Sequence, residues 1–262
     1  AAPSAAVLAA GDAHLYEVNV RSDPPRARRL TPNPLAASVV ALAALPLAAI
    51  ADRVSAVGSG QECSSMLAAG LSNGTLQLFK LKLSEDITGG AGGEGVSGSG
   101  SGSGSGGART IKILGVKTVS KAFSSPVSAL CWMADASALI VGCEDGSLVV
   151  FSPSGEPRAQ FSGLKGNTVR TLTATRGNNL LIGTTTGLYS FQLSSAHTPV
   201  LLDPGAVSSV SLVEETNNIL VSHDDGMIHC IGSGGNLLWV SSLSGVLGGA
   251  AGGNIGGMGT YG

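Results

Sequence analysis

Short apolar runs separated by small polar turns dominate the chain. From Val127 to Gly163 four β-favouring runs follow one another: VSALCWM, ALIVGC, GSLVVFS and EPRAQFSG. Asp135-Ala136-Ser137, Glu144-Asp145-Gly146 and Pro153-Ser154-Gly155 break them, and these are turn-forming residues. The same rhythm continues with TVRTLTAT, NLLIGTT, GLYSFQL and TPVLLD, then with AVSSVSLV, NILVSHD, GMIHCIG and NLLWVSS. Runs such as LIVG and LVVF lack polar alternation, as expected of short strands covered on both faces. Continuous helical periodicity is nearly absent, so the pattern predicts an all-β protein.

Four segments share one text: a β-rich run ending in a small residue, a three-residue turn, a glycine and a further strand. They are Met66–Phe79, Leu139–Phe151, Leu181–Phe191 and Ile219–Ile231, with turn glycines at Gly74, Gly146, Gly187 and Gly226. Each glycine is expected to supply the positive φ that a tight hairpin needs. The last two steps are 41 and 39 residues, and the first is 72. Removing a Gly/Ser-rich insertion of roughly 30 residues brings that first step near 40, the period of a four-stranded propeller blade. A degenerate fifth copy lies at Val7–Val18.

The segment VSALCWMADASALIVGCEDGSLVVFSPSG resembles a blade of the WD-repeat family: an inner strand ending at Trp132, a second strand, then Asp-Gly and a third strand. ILVSHDDGMIHCIGSGGNLLWV is similar, and its Leu-Leu-Trp is also similar to blades of quinoprotein-type propellers. The family's Trp-Asp pair is replaced by Val150-Phe151, Ser190-Phe191 and Cys230-Ile231. Its Gly-His pair is replaced by Ser125-Pro126 and Gly166-Asn167. The resemblance therefore implies a β-propeller of divergent four-stranded antiparallel blades, without the family's side-chain tetrad.

About five blades are expected, at 5–31 (partial), 36–83 with 109–124, 127–163, 167–202 and 206–243. These form either a small ring or a fragment of a seven-bladed one. The weak first unit and the absent initiator Met favour the fragment. The chain holds 262 residues and 39 glycines, eleven of them between Gly89 and Gly107 and nine between Gly245 and Gly262. Segments 85–108 and 244–262 are thus expected to be a disordered insertion and a disordered tail, with too little apolar surface to offset their ordering entropy.

Only 12% of residues are charged, 4% are aromatic, and the net charge is −2. Nucleic-acid binding through phosphate neutralisation is not expected at that balance. Cys63, Cys131, Cys143 and Cys230 form no CxxC pair; they read as buried, reduced thiols suited to the cytoplasm. The alanine-rich stretch Leu35–Ala51 contains Pro46 and is too short to span a bilayer. Gly90–Gly95 matches GxGxxG without a strand–helix context, and Asn73-Gly74-Thr75 matches a glycosylation sequon but reads as a turn. Arg21, Arg26, Arg28 and Arg29, with the lysines flanking the insertion, are expected on solvated loops. Trp132 and Trp239 are expected in the core.

The sharpest polar group is Ser222-His223-Asp224-Asp225 with His229. Imidazoles beside carboxylates suit metal ligation or proton transfer. The sister units place Ser72-Asn73, Cys143-Glu144-Asp145 and Thr184-Thr185-Thr186 at the same point, so a hairpin tip is the first expectation. No GxSxG elbow offers a nucleophile. The resemblance then implies a non-catalytic scaffold, with other proteins or peptides of a multi-subunit complex as partners. Rim contacts are expected at Asn73, Glu144, Asp145, His223, Asp224 and Asp225. No catalytic residue, metal, cofactor, small-molecule substrate or membrane span is expected. By family analogy, ciliary, trafficking and ubiquitin-ligase assemblies use such modules. The alternative is a quinoprotein-like or metal-binding enzymatic propeller.

Overall fold

A computed structural model describes residues 5–9, 13–19, 26–45, 64–86, 108–119, 123, 125–175, 177, 179–193, 198–213 and 215–242. Most of the expected insertion and tail, Cys63, Arg21 and Gly90–Gly95 lie outside these residues. Every regular element described is a strand. The first sheet holds β1 (Ala5–Ala9), β2 (Leu15–Asn19) and β3 (Arg26–Arg29). The second holds β4 (Val39–Ala44), β5 (Ser64–Leu71), β6 (Leu76–Asp86) and β7 (Ala108–Val119). The third holds β8 (Val127–Trp132), β9 (Leu139–Cys143), β10 (Leu148–Phe151) and β11 (Pro157–Phe161). The fourth holds β12 (Val169–Ala174), β13 (Asn179–Thr184), β14 (Gly187–Gln192) and β15 (Val200–Pro204). The fifth holds β16 (Val207–Val213), β17 (Asn218–His223), β18 (Met227–Ile231) and β19 (Leu237–Ser242).

Each sheet is an antiparallel meander in chain order. Three inner strands, β8, β12 and β16, begin with a buried valine followed by a register shift against the second strand. β4 repeats the shift after Val39. A bulge at this point bends the strand and increases its twist. No helix among the described residues is long and apolar enough to cross a membrane, and β4 occupies part of the alanine-rich stretch.

The unbroken apolar runs serve two cores at once. In β9, Leu139 and Val141 pack toward the second sheet, while Ile140 packs toward the fourth. In β10, Val149 and Phe151 take the first side, Leu148 and Val150 the other. Side chains alternate across a strand, so a sheet with neighbours on both faces needs apolar residues at consecutive positions. Leu15 joins the first sheet to Leu67 and Phe79 of the second, and Leu181 and Leu188 join the fourth to Val207 and Val221 of the fifth. No core cluster among the described residues joins the fifth sheet to the first.

Close packing explains the small residue of the repeat. A Cβ on Gly70, Gly142 or Gly183 would lie 2.5–2.7 Å from the valine methyl that opens the following sheet: Val127, Val169 or Val207. Ser222 holds the corresponding place in the fifth sheet.

Three expectations need correction. Gly187 is not a positive-φ turn residue; it opens β14 after the two-residue loop Thr185–Thr186. Thr184 Oγ1 closes that loop by accepting from the backbone N–H groups of Thr186 and Gly187, 3.2 and 3.1 Å away. A Cβ on Gly187 would instead meet Leu201 at 2.5 Å. Arg28 is no loop residue: from β3 its guanidinium donates to Glu17 and to the Ile111 carbonyl, while Glu17 Oε1 accepts from Ile111 N–H. That network ties the first sheet to the second. Trp239 is 44% exposed, because β19 is an outer strand with no neighbour other than β18 among the described residues. Trp132, by contrast, is buried and donates its indole N–H to the Ala43 carbonyl at 3.1 Å.

Candidate functional site

The hairpin tips between second and third strands are built alike in three sheets. Asn73, Asp145 and Asp225 each accept, through Oδ1, the backbone N–H two residues on, at 2.9–3.1 Å. Glycines 74, 146 and 226 follow with φ of 75°, 82° and 81°. These side chains hold turns. Glu144 is exposed, and its N–H reaches back to the Pro126 carbonyl. Asp224 N–H makes the equivalent bond to Ala206, and its carboxylate meets Arg170 of β12 at 2.5 Å.

His223 does not stand at a tip. The first residue of each three-residue turn (Leu71, Cys143, Thr184 and His223) is the last residue of its strand, and all four are buried. Alternation places His223 on the same face as Val221, which packs against the fourth sheet. Val221 pairs with His229 across the β17–β18 ladder, so both imidazoles share that face. Their ring centroids lie 4.4 Å apart.

Asp203, at the end of β15, completes the group from the neighbouring sheet. Its Oδ2 stands 3.0 Å from His223 Nε2 and 2.7 Å from His229 Nδ1. The β14–β15 ladder sets its place opposite Leu188. Pro204 and Gly205 then turn the chain into β16, and Gly205 has φ of +108°. A Cβ there would press within 3.2 Å of His223 Nδ1, so the glycine leaves room for the ring. An ionised carboxylate only accepts, so the ring nitrogens facing Asp203 are the donors. Asp203 and His223 are 7% exposed, and His229 keeps partial access to solvent. The three donor atoms lie within 4.8 Å of one another, the only such metal-competent group among the described residues.

Asp203 escaped the sequence reading, though it had a signal: one carboxylate closing the apolar run VLL, where burial demands a partner. The thiols offer less chemistry. Burial pushes Cys131 and Cys143 above the usual thiol range, which disfavours the thiolate, and Cys131, Cys143 and Cys230 are free.

Four-stranded antiparallel meanders whose first strands pack on one another, β4 on β8, β8 on β12 and β12 on β16, give the molecule the fold of a β-propeller. Solved structures agree. The structure of U3-55K is similar with a TM-score of 0.60 and 14% identity, over 91% of this chain and 61% of that one. RRP9 WD40 repeats give 0.59 and 15%, over 91% and 60%. The C-terminal WD40 domain of Sif2 gives 0.57 and 15%, over 91% and 57%. The chain thus spans about three fifths of the length of these structures. No family model and no curated protein matches it.

Proposed function

We propose that this chain is a protein-interaction platform that binds an extended segment of a partner along its outer strands, without making or breaking bonds. The carrying observation is the apolar outer strand β19, where Leu237, Leu238, Trp239 and Val240 are 44–54% exposed. β18 is its sole partner among the described residues. Val200 and Leu201 on the outer strand of the fourth sheet are exposed as well. Contiguous apolar side chains on a free strand edge favour a strand added by a partner, with tryptophan as an anchor. The free thiols, buried at Cys143 and Cys230 and half-buried at Cys131, suit a reducing compartment, so we place the platform in the cytoplasm, within a multi-subunit assembly.

The test is cross-linked capture of partners by the full chain, compared across variants. Leu238→Lys with Trp239→Glu should lower recovery of specific partners at least about 10-fold, as expected of a hot spot. Glu144→Ala should leave recovery unchanged. The reverse pattern would move the contact surface to the hairpin tips and overturn the role given to β19.

A further inference from the structure

We propose that Asp203, His223 and His229 form a binding site for one divalent transition-metal ion, zinc by preference, which ties the fourth sheet to the fifth. The proposal is independent of the partner surface on β19. Two imidazole nitrogens face one carboxylate oxygen, and the three donor atoms lie within 4.8 Å of one another. Two imidazoles and a carboxylate suit zinc better than magnesium or calcium, which prefer all-oxygen cages.

Binding requires the group to open. Tetrahedral zinc with bonds of about 2.0–2.2 Å keeps its donor atoms about 3.3–3.6 Å apart. The separations of 3.0 and 2.7 Å therefore widen by about 0.3–0.6 Å and about 0.6–0.9 Å. His223 and Asp203 are held by strand ladders, and the less buried His229 can make the adjustment. The same partial exposure of His229 gives the ion a way in and leaves a fourth position for water. The hydrogens that both rings now direct at Asp203 must vacate the coordinating nitrogens. A neutral ring moves its proton to the other nitrogen through solvent, and a charged ring releases it.

The repeat itself shows that the fold does not require these ligands. At the positions of His223 and His229 in the strand ladders, the second sheet has Leu71 and Gln77, the third Cys143 and Val149, and the fourth Thr184 and Tyr189. All four sheets keep the same four-stranded meander. Both histidines are particular to the fifth sheet, and they face a carboxylate from the sheet beside it.

The test uses the full chain, stripped with a chelator and titrated with Zn²⁺ by calorimetry and with Co²⁺ by visible absorption. One equivalent should bind, and zinc should raise the melting temperature. The Co²⁺ complex should show tetrahedral d–d bands without thiolate charge transfer in the near ultraviolet. His229→Ala, at a partly exposed position, and the near-isosteric Asp203→Asn should each weaken binding at least about 100-fold, beyond the loss typical of an outer-shell change. Asp224→Asn should leave it unchanged. No binding by the folded chain, a thiolate band, or undiminished binding by His229→Ala would each overturn the site.

Discussion

The third and fifth sheets are written in nearly the same letters, yet they differ in what covers them. In β9 and β10 every residue from Leu139 to Cys143 and from Leu148 to Phe151 is buried. In β17 burial alternates, with Ile219, Val221 and His223 inside and the residues between them partly open. The third sheet packs against a neighbour on both faces, the fifth against one among the described residues. An apolar run therefore does not fix its own burial; the neighbouring sheet does. The fifth sheet is also where polar chemistry collects, since His223 and Asp203 fill a space that Cys143 fills with a thiol.

The largest test of that contrast uses the two tryptophans. Trp132→Ala empties a core site and removes the indole bond to the Ala43 carbonyl, which should cost about 3–5 kcal/mol in denaturant unfolding. Trp239→Ala, on the exposed outer strand, should cost less than about 1 kcal/mol. Equal losses would show that β19 is covered in solution. A smaller effect comes from the small residue before the hairpin. Gly142→Ala drives a methyl toward Val169 and should cost about 1–3 kcal/mol, whereas Ser222→Ala should be close to neutral. Comparable costs at both positions would mean that the fifth sheet is as tightly flanked as the third.

The letters carried the architecture because propeller blades are local: the third, fourth and fifth sheets each come from fewer than about 40 consecutive residues, and their turns announce themselves. Asp145 and Asp225 are legible as turn residues because an Asx turn closes within two residues. What failed was whatever depended on a second sheet. Trp239 looks like Trp132 in text, and what separates them is that no described residue covers β19 on its outer side. The repeat showed a small residue at Gly70, Gly142, Gly183 and Ser222, but not the valine that demands it. The metal-competent group was half legible: His223 and His229 lie six residues apart, while Asp203 arrives from another unit through packing. Gly187 misled because Thr184 does the work that glycine does elsewhere.

The smallest effect concerns how the fifth sheet is held at its rim. Arg170 of β12 meets Asp224 at 2.5 Å with side chains 35% and 46% exposed, so solvent screens much of the attraction. At the first junction the equivalent tie is partly buried: Glu17 has 8% of its side chain exposed and shares its carboxylate between Arg28 and the Ile111 N–H. A double-mutant cycle of Arg170→Ala and Asp224→Ala should give a coupling below about 1 kcal/mol that fades further in high salt. Glu17→Gln should cost more, about 1–3 kcal/mol, because a charge-assisted acceptor inside a junction has no water to replace it. A coupling at the rim as large as the effect of Glu17→Gln would mean that the fifth sheet is fastened by its surface charges. If the rim pair is weak, as expected, the fifth sheet rests on the Val207–Val221 core and on the Asp203–His223–His229 group beside it.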